Sequence, residues 1–177
     1  MNATTPGTPV LVTGGSGFVA GQLIEHLLGQ GHIVHATVRN LNAPAKIAAL
    51  TEMATRHDGR LKLFEADLMK PGSFEAAMAG CDVVHHVASP FLMLEKITDG
   101  KAQMLDPALE GVRNVLASVN ATPSVRRVVM TSTIGAIFGD YIDVMEKMGG
   151  VCSEAYFNET SSIDHNPYHY SKVMAEH

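Results

Sequence analysis

The stretch TGGSGFVAGQL, Thr13 to Leu23, places four glycines within nine residues. The apolar run Val10-Leu11-Val12 precedes it, and the apolar run beginning at Leu23 and Ile24 follows. A strand therefore hands over to a helix through a nearly bare main chain. At the spacing Gly14-x-x-Gly17-x-x-Ala20 each small residue has a job. Gly14 permits a tight turn, Gly17 lets the backbone approach a pyrophosphate, and Ala20 lets the helix pack on the strand. Amides at the helix start then face the phosphates, helped by the helix dipole. With Ser16, Phe18 and Val19, these residues form a candidate dinucleotide-binding turn.

Short β-branched runs recur after it: Pro9–Thr13, His32–Val38, Leu61–Glu65, Asp82–Val87 and Arg126–Thr131 read as strands. Helix-like segments lie between them, among them 43–56 and Ser73–Met78. This alternation predicts an α/β fold, a doubly wound Rossmann-type parallel sheet with helices on both faces. In the fourth connection Leu105, Leu109, Val112, Leu116 and Val119 suggest one apolar helix face, and Pro107 its start or a kink. Ligands of such sheets bind beyond the carboxyl ends of the strands, so functional residues are sought just after each one.

Composition narrows the classes. The chain has 177 residues, 46% hydrophobic and 18% charged, with a formal net charge of −5. This is a soluble globular composition, and it lacks the clustered Lys and Arg of a nucleic-acid surface. Two lone cysteines, Cys81 and Cys152, form no disulfide or zinc pattern. The polar start MNATTPGTP has no signal-peptide core, and no apolar run reaches membrane-span length. A cytoplasmic protein is expected. The nine histidines offer no convergent ligand set, so no metal is expected.

The end of the second strand selects the dinucleotide. A site for NAD usually places an acidic residue there to bind the ribose hydroxyls, but HATVRN ends on Arg39. A guanidinium suits a 2′-phosphate instead, and Lys46 supplies a second cation. NADP(H) is the expected cofactor. The plain alternative is a pair of solvated surface charges.

The segment from Gly139 to Pro167 holds little beyond a short helix at Asp143–Met148, and loops of that length usually serve a site or are mobile. After Pro167 the pattern Tyr170, Val173, Met174, His177 begins a helix, and the sequence stops there. Residues 1–177 read as one dinucleotide-binding domain, cut within that helix. The flank beyond the fifth strand is expected to lack cover.

Six motifs in order resemble the extended short-chain dehydrogenase/reductase family: VTGGSGFVAGQL, ATVRN with Lys46, EADLMKPGSF, GCDVVHHVASP, VVMTSTIGAIFG and YHYSKVMAE. Within it, the Arg39 and Lys46 spacing, HVASP and TSTIGA are similar to the dihydroflavonol reductase and cinnamoyl-CoA reductase branch. The chain departs from the pattern at Thr133, where the family usually has Ser, and at HNP before Tyr168. The resemblance implies reduction of a small ketone or aldehyde by hydride from NADPH. Tyr168 would be the proton donor, and Lys172, one helical turn later, would favour phenolate and hold the nicotinamide ribose. Thr133 would position the carbonyl, with Ser132 as rival on a diverging side. Asp67 and Leu68 would meet the adenine, unless Asp67 is a helix cap. Val87, Ala88 and Ser89 would pass beneath the cofactor, or simply end a strand. Asn114 resembles a position supporting the active-site lysine, and equally an ordinary buried amide. Phe91, Leu92 and Met93 would wall a substrate. A homodimer is compatible with the family. The rival readings are an NAD-dependent sugar-nucleotide epimerase or dehydratase, and a non-catalytic NADP(H) sensor.

Overall fold

The computed structural model describes residues 7–177. By their internal contacts they divide into two units, residues 7–88 with Arg113–Thr131, and Ser89–Val112 with Ser132–His177.

The first unit holds the whole sheet. Its strands are Val10–Val12 (β1), Val34–Val38 (β2), Leu61–Glu65 (β3), Val83–His86 (β4) and Arg127–Met130 (β5). All pair in parallel in the order β3-β2-β1-β4-β5. The order reverses between β1 and β4, so the crevice for a ligand lies at their carboxyl ends. Every residue of β1 and β2 is buried, as the centre of a parallel sheet demands, whereas β5 at the edge alternates between exposed and half-buried.

Alternation along β1 divides the core. Val10 and Val12 pack with Ile24 and Leu28 of helix Phe18–Gly29 (α1) and Leu50 of Pro44–Arg56 (α2). Leu11 turns to the opposite face, onto Phe74, Ala77 and Met78 around the short helix Glu75–Met78 (α3), and onto Val115 of Asp106–Asn120 (α4). Each fully buried side chain of this size contributes about 1.5–3 kcal/mol. Helices thus cover both faces of a Rossmann-like sheet.

Several boundaries differ from the sequence reading. β4 stops at His86 because the amides of Val87 and Ala88 leave the ladder for the hydroxyl of Thr13. β5 likewise loses one residue at each end. The face of α4 is rotated by one residue from the expected leucine stripe. Ala108, Gly111, Val115 and Ser118 are buried, whereas Leu116 is exposed. Small side chains permit close approach, which leaves the bulkier leucines at the margin. Pro107 is the second residue of α4, in keeping with a helix start. A π-helical turn, Lys101–Leu105, runs straight into α4, and Pro107 sits at the join, where the wider turn relieves the ring and the missing N–H.

The second unit contains that π turn, a 3-10 turn at Ile134–Ala136, and helices Tyr141–Lys147 (α5) and Pro167–Glu176 (α6). The long segment after Gly139 is fastened by hydrogen bonds. The buried carboxylate of Asp143 accepts from the amides of Gly139 and Asp140 and from the Thr160 hydroxyl, at 3.2, 3.1 and 2.5 Å. These bonds, the Thr160 hydroxyl first, hold its carboxyl below the usual range. Asp143 also closes a capping box with Asp140, so α5 starts two residues before its sequence-expected position.

Buried histidines give the first unit a pH dependence. His35 donates from Nδ1 to the carbonyl of Ala77 at 2.7 Å, and burial lowers its pKa. Burial also lowers that of His85, with His32 adding repulsion. The neighbouring Cys81 thiol is pushed up to about 12 by burial. The unfolded chain binds protons on these rings near their ordinary value of 6.5, before the folded chain does. Their contribution is therefore present above that pH and lost as pH falls through it. Thermal unfolding should show a midpoint that drops on acidification from about pH 7 to pH 5.5, with a shallower drop in His35→Asn; a flat midpoint contradicts this.

Candidate functional site

In the first unit the glycine turn is held from two sides. Gly14 adopts φ +72°, and a Cβ there would stand 3.0 Å from the Ala88 backbone, so both conformation and space require glycine. On the β2 side, Thr37 accepts the Gly14 amide on Oγ1 at 3.2 Å and the Gly15 amide on its carbonyl at 2.7 Å. On the β4 side, buried Thr13 Oγ1 accepts the amides of Val87 and Ala88 at 3.0 and 2.9 Å. It also lies 3.0 Å from His86 Nδ1. Two amides fill the lone pairs of a hydroxyl, so its proton goes to His86, which must accept through Nδ1. The turn is thereby tied to both neighbouring strands.

Beyond it, α1 begins at Phe18 with Gly17 as its cap residue and no side-chain cap bond. Phe18 and Val19 are 84% and 57% exposed, so the helix start faces outward. A phosphate fits this feature: backbone donors without a side-chain acceptor, at the positive end of a helix dipole, beside Gly17 with no Cβ. Ser16 is also exposed there.

Arg39 directly follows β2, exposed, and Lys46 lies exposed in the first turn of α2. Neither forms an ion pair among the described residues, which leaves both cations available to an anion. Asp67 follows β3 and accepts the Met69 amide on Oδ1 at 2.8 Å, closing a turn. The Ser73 hydroxyl donates to the Asp67 carbonyl and accepts its amide. Asp67 thus caps a local turn and does not start a helix. Leu68 offers its carbonyl to Asn114 Nδ2 at 2.7 Å, so that amide braces the turn that carries Asp67.

In the second unit, Tyr168 lies on the first turn of α6 with Lys172 one turn later. The phenol is half-buried and T-stacked on Phe91 with ring centroids 5.2 Å apart, and the Thr133 hydroxyl is near enough to favour its ionised form. Burial raises its pKa and the Thr133 hydroxyl partly opposes this. Lys172 is buried, and desolvation lowers its pKa against the pull of Glu176. The adjacent hydroxyls diverge: Ser132 donates to Glu176, whereas Thr133 accepts the Gly135 amide at 3.3 Å and meets Tyr168. Phe91 and Met93 are exposed, and Ser89 makes only a long bond to the Pro90 carbonyl.

Sequence reading missed Thr13, Thr37, His86, Asp143 and Asn158. Thr13 carried a signal, as a hydroxyl at the end of the strand just before the glycines. Thr37, His86 and Asn158 hold partners across long stretches of chain, where spacing says nothing, whereas Asp140-x-x-Asp143 is a local capping-box spacing. Among the described residues, no three His, Cys, Asp or Glu side chains converge as for a metal, and no helix is long and apolar enough to cross a membrane.

Comparison with known proteins places this geometry. Cinnamoyl-CoA reductase CAD2 of Medicago truncatula is 42% identical over 137 residues, which is 77% of this chain and 41% of that protein. Anthocyanidin reductase of Arabidopsis thaliana is 37% identical over 170 residues, 93% of this chain and 48% of that one. Among solved structures, yeast methylglyoxal/isovaleraldehyde reductase Gre2 complexed with NADPH superposes with TM-score 0.78 at 28% identity, over 95% of this chain and 50% of that chain. Vestitone reductase from alfalfa gives 0.66 at 26% identity, covering 96% and 50%. The chain thus spans half or less of the length of these relatives. A parallel sheet reversing at a glycine turn, with a Tyr-x-x-x-Lys helix after it, accords with the match of residues 10–177 to one family profile: the chain belongs to the NAD dependent epimerase/dehydratase family.

Proposed function

We propose that residues 1–177 serve as the dinucleotide-binding domain of an NADPH-dependent reductase that turns a small ketone or aldehyde into an alcohol. The observation that carries this reading is the half-buried Tyr168 phenol, stacked on Phe91, on a helix whose next turn holds buried Lys172. Relatives named as cinnamoyl-CoA and anthocyanidin reductases, and a neighbour whose structure holds NADPH, support it.

The bound dinucleotide would supply the hydride. Gly14, Ser16, Gly17, Phe18 and Val19 present main chain to its pyrophosphate. Arg39, with Lys46, takes the 2′-phosphate, and this favours NADPH over the NAD of an epimerase. Asp67 and Leu68 border the adenine, while Val87, Ala88 and Ser89 provide the small surface after β4.

Tyr168 gives its proton to the carbonyl oxygen, and Thr133 donates a hydrogen bond that strengthens as negative charge develops there. The raised phenol pKa keeps Tyr168 protonated at neutral pH, the state a reductase needs. Lys172 stabilises the phenolate left behind and holds the nicotinamide ribose. The enzyme works in the cytoplasm as a homodimer on this reading; the two free cysteines accord with a reducing compartment.

Tyr168→Phe should lower NADPH-dependent carbonyl reduction about 10²–10⁴-fold, followed by loss of NADPH absorbance, with nucleotide affinity nearly unchanged; an unaltered rate removes Tyr168 from the chemistry. Arg39→Asp should weaken NADPH by about 1.5–3 kcal/mol in calorimetric titration while NADH changes little. Equal effects on the two nucleotides would refute the 2′-phosphate role.

A further inference from the structure

Gly135, in the 3-10 turn, takes a side-chain hydrogen bond on each of the two peptides that flank its Cα. The Gly135 amide donates to Thr133 Oγ1 at 3.3 Å, and the Gly135 carbonyl accepts from Asn158 Nδ2 at 2.6 Å. The first bond occupies a lone pair of the threonine oxygen and leaves its proton for Tyr168. The second holds the next peptide, whose amide, on Ala136, donates to the Thr133 carbonyl at 3.0 Å, so both peptides around Gly135 are tied to Thr133.

Asn158 is itself held so that it cannot drift. It is buried, and its own amide donates to the Ala136 carbonyl at 2.9 Å. Its Nδ2 also reaches Ser161 Oγ at 2.8 Å, and its Oδ1 accepts the amides of Thr160 and Ser161 at 3.1 and 3.0 Å. Both donors and both acceptors of the side chain are thus used. Thr160 in turn is anchored on Asp143. On its other side, the Gly135 peptide meets the ring of His169, which a Cβ at Gly135 would overlap. His169 follows Tyr168 on α6, so the turn is gripped between the fastened loop and the helix that bears the phenol.

We propose that Asn158 is a positioning residue that, through the backbone on both sides of Gly135, aims the Thr133 hydroxyl at the Tyr168 phenol. Asn158 touches neither substrate nor cofactor in this role. The inference rests on the roles assigned above to Thr133 and Tyr168, but it can be tested without turnover.

The test is the titration of Tyr168 in chain labelled with ¹³C at the tyrosine ring, its signal assigned by its loss in Tyr168→Phe. The groups around the phenol are the Thr133 hydroxyl, the Phe91 edge, His169, and Lys172 and Glu176 farther along α6. Thr133→Val removes the hydroxyl that stabilises phenolate and should move the titration upward by roughly half to one pH unit. Asn158→Ala should move it as far, Thr133→Ser should restore it, and the double variant N158A/T133V should move no farther than either single one. Should Asn158→Ala not fold, Asn158→Ser is used, since its hydroxyl can cap the Thr160 and Ser161 amides but is too short for the Gly135 carbonyl. Either folded variant titrating as wild type, additive shifts in the double variant, or no shift in Thr133→Val would overturn the proposal. Loss of reductase activity in the wild-type chain would count against the proposed function and leave this readout intact.

Discussion

The hydroxyl of Thr13 is the constraint on which the sheet's binding edge depends. It fills its hydrogen-bonding capacity with three partners, all at or just past the end of β4. A strand end would otherwise present unpaired amides at Val87 and Ala88, and those residues would stand away from Gly14. The hydroxyl instead pulls them in, until only a glycine can pass beside Ala88. From that closeness follow the tight turn, the outward start of α1 and a crevice where the strand order reverses. The staple also fixes the tautomer of His86, so a proton on one ring is set by two amides elsewhere.

Burial governs the electrostatics of both units. In the first unit it biases His35 and His85 toward the neutral ring and Cys81 toward the thiol. In the second unit it acts on Tyr168 and Lys172 together. It pushes the phenol up and the ammonium down, so each group is biased toward its neutral form. Thr133 and Glu176 each work against that push on one partner.

Much of this was legible in the chain because it is local. The alternation of β-branched runs with helix formers located five strands to within two residues, and the spacing of Gly14, Gly17 and Ala20 located the turn. Tyr168 and Lys172 were legible because four residues make one helical turn. The α4 stripe was misread because leucines were counted as core, whereas the buried face is made of Ala108, Gly111, Val115 and Ser118. Three of these four are small, and hydrophobicity alone does not report that a small residue is buried. The segment after Gly139 was expected to serve a site or be mobile because it lacks periodicity. Its order comes from Asp143 and Asn158, each bonding main chain at several points, and composition carries no trace of such bonds.

The edge position of β5 has a consequence for how this molecule meets its neighbours. Among the described strands β5 pairs only with β4, so one row of its main-chain donors and acceptors has no strand opposite it. Val129, 44% exposed, adds an apolar side chain to that margin. Such a border is a template on which another extended chain can dock, including that of a second molecule in crowded solution. The strand is short and is entered through Arg126 and Arg127, whose charge disfavours identical strands lying side by side. Colloidal behaviour at this border therefore depends on the two arginines, and ionic strength that screens them weakens the guard.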